Sequence, residues 1–178
     1  MRQSVYLAGC ISADPATYEW RQEATKYLGD KFEIIDPTRN DFNLKLLEQY
    51  KDQHAQFKFA AVSHSQLILP DKDYQLVRRA SIILVNLRII TPEKPPVGTL
   101  CELAWSWQWH KPVVAVVGDN WYCKHPFIQR FISFQCIAVE RGCQTIIEFF
   151  YYRNDDEKET LVLDTRQKIG LSDKTSSG

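Results

Sequence analysis

Five short apolar runs constrain this chain more than any other feature: VYLAG (5–9), FEIID (32–36), SIILVNL (81–87), PVVAVVG (112–118) and CIAV (136–139). They are rich in Val and Ile and lack the strict alternation of a strand with one wet face, so they read as strands covered on both faces. Segments with helical spacing separate them: Tyr18 to Leu28, a stretch within Phe42 to Leu69, Tyr74 to Arg79, Thr99 to His110, Pro126 to Phe131 and Arg141 to Tyr152. Strand and helix in alternation, joined by right-handed crossovers, predict an α/β protein: a three-layer α/β/α sandwich around a five-stranded, mainly parallel sheet of flavodoxin or Rossmann type. Ligands bind such sheets at the carboxyl ends of the strands. Gly9 and Cys10, Asp36, Asn86, and Asp119 with Asn120 fall there.

Composition narrows the function classes. The 178 residues suit one domain with its own core, expected over 1–153, with 154–178 as an extension whose small, polar last residues read as disordered. Twenty-two basic side chains face 22 acidic ones, so no overall field favours a nucleic acid polymer or an anionic membrane. No apolar run approaches the ~20 residues of a membrane span, and the opening MRQSVYLAGC enters a strand without a leader-like apolar region. A cytoplasmic protein is expected. The five cysteines form no CxxC pair, only Cys123 and His125 stand close together, and no GxGxxG or GxxxxGK[ST] occurs. These spacings predict free thiols, no metal and no cofactor.

The stretch PPVGTLCELAWSWQ (95–108) carries two readings. Thr99 and Glu102 stand three apart before an apolar-periodic run, the signature of a capping box. Leu100, Leu103, Ala104 and Trp107 make the core-facing stripe, which leaves Glu102 in the first turn with its carboxylate toward the rim. There the helix dipole favours its ionised form, which suits a nucleophile as well as a cap. Asp73 is equally double, as an N-terminal helix residue or as a second functional carboxylate. With Tyr6 expected at the same rim, two carboxylates and a phenol can divide the roles of nucleophile, proton donor and orienter.

These residues carry a resemblance. YLAG (6–9), EWRQEA (19–24), IIDPTR (34–39), DKDYQLVRRASIILVNL (71–87), VGTLCELAWS (97–106), KPVVAVV (111–117), then DN (119–120) and HP (125–126) resemble, in order, the nucleoside 2-deoxyribosyltransferase family. The resemblance implies transfer of a 2-deoxyribosyl group between purine or pyrimidine bases, with Glu102 as nucleophile, Asp73 assisting the leaving base and Tyr6 holding the nucleophile. Deoxynucleosides and free bases would be the partners. Substrate contacts are expected from Gly9, Cys10, Ile11, Asp36, Gly98, Thr99 and Asn120. Asp36 and Arg39, with Trp20 and Arg21, fit either structural ion pairing or a base pocket.

Two positions depart from the family pattern. Pro96 stands where many relatives place Ser or Asp, and Ile128 where an Asn would bind the 5′ hydroxyl, leaving Asn120 as the nearest substitute. These departures keep a binding module without activity in play. An N-hydrolase of deoxynucleoside 5′-monophosphates is another alternative, with Ser12 and Ser133 as its phosphate contacts. Trp105 and Trp109, four apart and off the apolar stripe, predict either a homo-oligomer interface or cover from the tail after Arg153.

Overall fold

The first apolar run sets the architecture by alternation. Within β1 (Ser4–Gly9), Val5 and Leu7 enter one core and Tyr6 and Ala8 the other, all fully buried. A strand dry on both faces needs a layer on each side. The computed structural model describes residues 2–12, 14–39, 64–88, 96–119 and 121–151; the stretch 40–63, Asn120 and the tail after 151 lie outside the described residues. After β1 come α1 (Ala16–Leu28), β2 (Glu33–Ile35), α2 (His64–Arg79), β3 (Ile82–Asn86), α3 (Val97–Gln108) and β4 (Val113–Val116). The short α4 (Trp121–Lys124) and α5 (Pro126–Phe131), then β5 (Phe134–Cys136) and α6 (Val139–Phe150), complete the order.

The sheet runs β2-β1-β3-β4-β5 and every pairing is parallel. Chain order reverses between β1 and β3, which creates the crevice where such sheets hold ligands. One core joins Trp20, Ala24 and Leu28 of α1 to Val139, Cys143 and Ile146 of α6, over Val5, Leu7, Leu84 and Val114. The other joins Val77 of α2, Leu103 of α3 and Ile128 of α5 over Tyr6, Ile83, Val85 and Ala115. The expected three layers are therefore present. At roughly 1.5–3 kcal/mol for each large apolar side chain taken out of water, these two interfaces dominate the stability. α6 approaches the sheet closely because Gly142 has no side chain: a Cβ there would stand 3.1 Å from Leu84 Cδ1. Cys136 and Cys143 are sealed into this layer, and burial pushes the Cys143 thiol up to about 12.

Several boundaries differ from expectation for local reasons. The last strand is Phe134–Cys136, not 136–139. Its register against β4 is fixed by Val114 opposite Phe134 and by the Val117 amide donating to the Cys136 carbonyl at 2.8 Å. Ile137 is 79% exposed in the turn, and Val139 opens α6. α2 starts at His64 and carries Pro70 inside it, so the expected start near Tyr74 is one face of a longer helix. A proline there removes a ladder bond without ending the helix. Trp105 and Trp109 are half-buried within the chain itself: Tyr74 of α2 packs edge-on against Trp105 at 5.4 Å and against Trp109 at 6.2 Å, and the Arg78 guanidinium lies 5.2 Å above the Trp109 ring. α2 thus covers part of both rings; the tail expected to cover them lies outside the described residues. No helix among the described residues is long and apolar enough to cross a membrane.

Candidate active site

Tyr6 lies at mid-strand in β1, facing α2 and α3, with none of its surface exposed. Its hydroxyl donates to Glu102 Oε1 at 2.5 Å. Glu102 is 6% exposed, and its second oxygen, Oε2, is buried with no hydrogen-bond partner among the described residues. Asp73 Oδ1 is in the same condition. Buried carboxyl oxygens are almost always bonded, so both groups are open to a partner that the described residues do not supply.

The helix carrying Glu102 is not capped as expected. α3 begins at Val97, the Leu100 amide reaches the Pro96 carbonyl at 3.0 Å, and no side chain caps the first turn. Glu102 therefore sits in the second turn and Thr99 in the first, so the capping box does not exist. The buried face also differs from the apolar stripe. It runs Thr99, Glu102, Leu103 and Ser106, while Trp107 is 49% exposed. Ser106 Oγ donates back to the Glu102 carbonyl at 2.6 Å. A helix that turns polar side chains inward does so to line a site, and that choice is invisible when only apolar residues are counted. Asp73 is likewise no first-turn residue, since α2 starts well before it.

Burial governs the protonation of this cluster. Desolvation pushes Glu102 up to about 8; the Tyr6 hydrogen bond and the Arg21 charge oppose that rise, and Asp73 adds to it. Desolvation also lifts Asp73 to about 6, with Lys72 pulling the other way. Tyr6 is raised well above the usual phenol range by burial, then by Glu102 and Asp73, so it acts as a donor. Two carboxyl groups coupled in this manner titrate as a pair.

The expected substrate contacts divide. Gly9, Cys10 and Ile11 follow β1 at its carboxyl end, where Gly9 holds φ of 157° and a Cβ would press on Trp20 at 3.0 Å. Gly98 faces open space, with nothing within 4 Å of a Cβ. Thr99 is buried on the same face of α3 as Glu102. Asp36 is largely engaged in structure: its Oδ1 accepts from the Thr38 amide at 2.9 Å and hydroxyl at 2.8 Å and lies 3.6 Å from Arg21 Nε. Asn120 lies outside the described residues. Ile128 is buried in the core and Asn86 closes its own loop by accepting from the Arg88 amide. Ser133 bonds the Val113 amide at the amino end of β4, far from the strands' carboxyl ends, so it does not serve as a phosphate contact there. No cluster of metal-ligating side chains occurs among the described residues.

Arg21 resolves the open reading of the first helix. It falls on the buried face Thr17, Trp20, Arg21, Ala24, Leu28 and is 1% exposed, so the i, i+3, i+4 spacing already placed a cation among core positions.

No family model and no curated protein matches this sequence. Among solved structures, the chain is similar to a 2-deoxyribosyltransferase from the psychrotolerant bacterium Bacillus psychrosaccharolyticus, at 16% identity and a TM-score of 0.54 over 78% of this chain and 88% of that one. It is also similar to the 2-desoxiribosyltransferase from Leishmania mexicana, at 13% identity and a TM-score of 0.55 over 83% and 99%. The likeness covers most of each chain and is one of fold.

Proposed function

We propose that this protein transfers a 2-deoxyribosyl group between nucleobases by double displacement through a glycosyl ester on Glu102. The observation that carries the reading is the asymmetric Glu102 carboxylate: Tyr6 fixes Oε1, and Oε2 is buried and unpartnered. A carboxylate with one oxygen anchored and the other bare is oriented for attack on an electrophilic carbon.

Oε2 bonds to C1′ as the C1′–N bond breaks, and that bonding pair goes to the base, whose ring nitrogen takes the proton from Asp73. A second base then attacks C1′, Glu102 leaves as a carboxylate, and the incoming base returns its proton to Asp73. Two inversions give net retention. The sugar passes through an oxocarbenium-like centre, which the absence of a 2′ hydroxyl makes easier to reach. The competent arrangement has the charge on Glu102 and the proton on Asp73. In the empty site the drier Glu102 holds its proton more tightly than Asp73 does, so the bound substrate has to shift the proton toward Asp73.

Glu102→Gln tests the assignment. It is expected to leave the fold intact and to abolish base exchange by three orders of magnitude or about that, with no deoxyribosyl adduct by mass spectrometry, whereas the parent protein accumulates one on Glu102. Normal exchange in the variant would overturn the reading. A hydrolase would release free deoxyribose without needing an acceptor base, and an inactive binding module would give neither product. A homo-oligomer in the cytoplasm belongs to the same proposal, favoured by the exposed rings of Trp121 and Phe127.

A further inference from the structure

A hollow of about 430 Å³ opens at the amino end of β4, where α3 and α5 both finish. That volume lies within the range of small-molecule sites. Trp107 and Phe131 stand together on it, their ring centroids 6.1 Å apart, and about half of Trp107 is open to solvent. His110 and Lys111 from the end of α3, Arg130 from the last turn of α5 and Ser133 complete the polar lining, which includes no carboxylate.

Basic side chains at a helix C-terminus usually answer its last carbonyls or its dipole. Here backbone amides already take two of those carbonyls. The Lys111 amide donates to the Ser106 carbonyl at 2.9 Å and the His110 amide to the Trp107 carbonyl at 3.0 Å, the paired closure of a Schellman motif. His110 holds the position in that motif where glycine is the usual residue, with φ of 52°. An imidazole kept where the backbone favours glycine points to a use for the side chain. Arg79, Lys124 and Arg141 each pair with an acid elsewhere on the surface. By contrast, none of His110, Lys111 and Arg130 has an ion pair or a side-chain hydrogen bond among the described residues. Desolvation lowers Lys111 from the ordinary lysine range, so its charge is held partly dry without a counter-charge. Ser133 Oγ accepts the Val113 amide at 3.1 Å, which leaves its own proton to donate.

We propose that this hollow is a binding site for a nucleoside phosphate, separate from the crevice that holds Glu102: the base lies against the open face of Trp107, and the phosphate is held by Lys111 and Arg130 with donors from His110 and Ser133. An aromatic face takes a base of any identity, and a cation pair with a forked guanidinium takes a phosphate. Phosphate alone has no use for Trp107, and an uncharged ring none for Lys111 and Arg130. The double-displacement reading uses none of these residues, so the two stand or fall separately.

The test titrates dAMP into the full-length protein and follows the His110 imidazole by 1H–13C NMR, its signal assigned by loss in His110→Gly. Saturable movement of that signal is expected. Deoxyadenosine and inorganic phosphate, each carrying part of the recognition, should bind at least about tenfold more weakly than dAMP. Lys111→Gln combined with Arg130→Gln, and separately Trp107→Leu, should each weaken the nucleotide about tenfold. Arg130→Gln, at an exposed position, stands in if the double variant does not fold. Glu102→Gln, in which no turnover consumes the probe, should give the parent curve. A signal unmoved at millimolar dAMP, one moved equally well by inorganic phosphate, or binding that the charge variants leave intact overturns the inference. So does a response lost in Glu102→Gln, which would put the nucleotide in the catalytic crevice. Sedimentation covers the other occupant of such a face: a dimer lost in Trp107→Leu, with no response to dAMP, would give the hollow to a second copy of the chain and overturn the proposal.

Discussion

Glu102 holds its proton at a pH where the same side chain in an unfolded chain has lost it, and this ties activity to stability with opposite signs. The folded-state values of Glu102 and Asp73 lie above their ordinary 4.5 and 3.8, at about 8 and about 6, because burial penalises the charged forms. Between those limits the native state binds more protons than the unfolded one, so stability falls as pH rises. The pair also holds its single shared proton only between its two titration steps, so exchange should follow a bell centred near neutrality. Thermal unfolding followed from pH 5 to pH 8.5 should accordingly show a declining Tm. Glu102→Gln should flatten the upper part of that decline and be the more stable protein at pH 8.5, by on the order of 5 kcal/mol. An equal slope in the variant would show that Glu102 is not the group being titrated. At this scale the sequence was partly legible. Tyr6, Asp73 and Glu102 were readable as chemistry-bearing, and the capping box was misread because Thr-x-x-Glu looks alike whether its threonine starts a helix or lies in its first turn. Arg21 was ambiguous because an arginine on a helix normally snorkels to water.

The pairing of α2 with α3 is what brings Asp73 to Glu102, and aromatic rings weld the two helices. Tyr74, the residue after Asp73, packs against Trp105 and Trp109 at once. Each such ring pair contributes about 0.5–1.5 kcal/mol beyond its buried area. Tyr74→Ala should therefore cost about 2 kcal/mol in urea unfolding and slow base exchange, because its neighbour's carboxyl loses its placement. Tyr74→Phe should restore both; a slow Phe variant would mean that the hydroxyl, not the packing, matters. Periodicity located α3 to within two residues of its start and end. It could not say which neighbour would cover the tryptophans, because that depends on the approach of a helix distant in sequence, and Pro70 concealed the length of α2.

Across the whole molecule, five buried runs and the rule of right-handed crossovers predicted a five-stranded, mainly parallel sheet, and the structure arranges it in the order β2-β1-β3-β4-β5. The edge was the exception. β5 pairs on one side only, so fewer partners dictate its extent, and its apolar run spilled into the turn at Ile137. The central strands, dry on both faces, had no such latitude. The same layering accounts for the position of the site: it lies where the strand order reverses between β1 and β3, with α2 and α3 on one face of the sheet and Arg21 of α1 reaching the Gly9 carbonyl at the strand end from the other.

The sealed sulfur of Cys143 has a practical consequence. A fully buried thiol on the helix that Gly142 lets close onto the sheet cannot meet an alkylating reagent until α6 lifts away. Its modification rate is then a clock for that opening. Under iodoacetamide, Cys10 and Cys101, both partly open to solvent, should be labelled within the first minutes or so, and Cys143 only on the timescale of unfolding. Peptide mass mapping would read the order directly. Prompt labelling of Cys143 would mean that the outer layer detaches freely while the sheet beneath it stays folded.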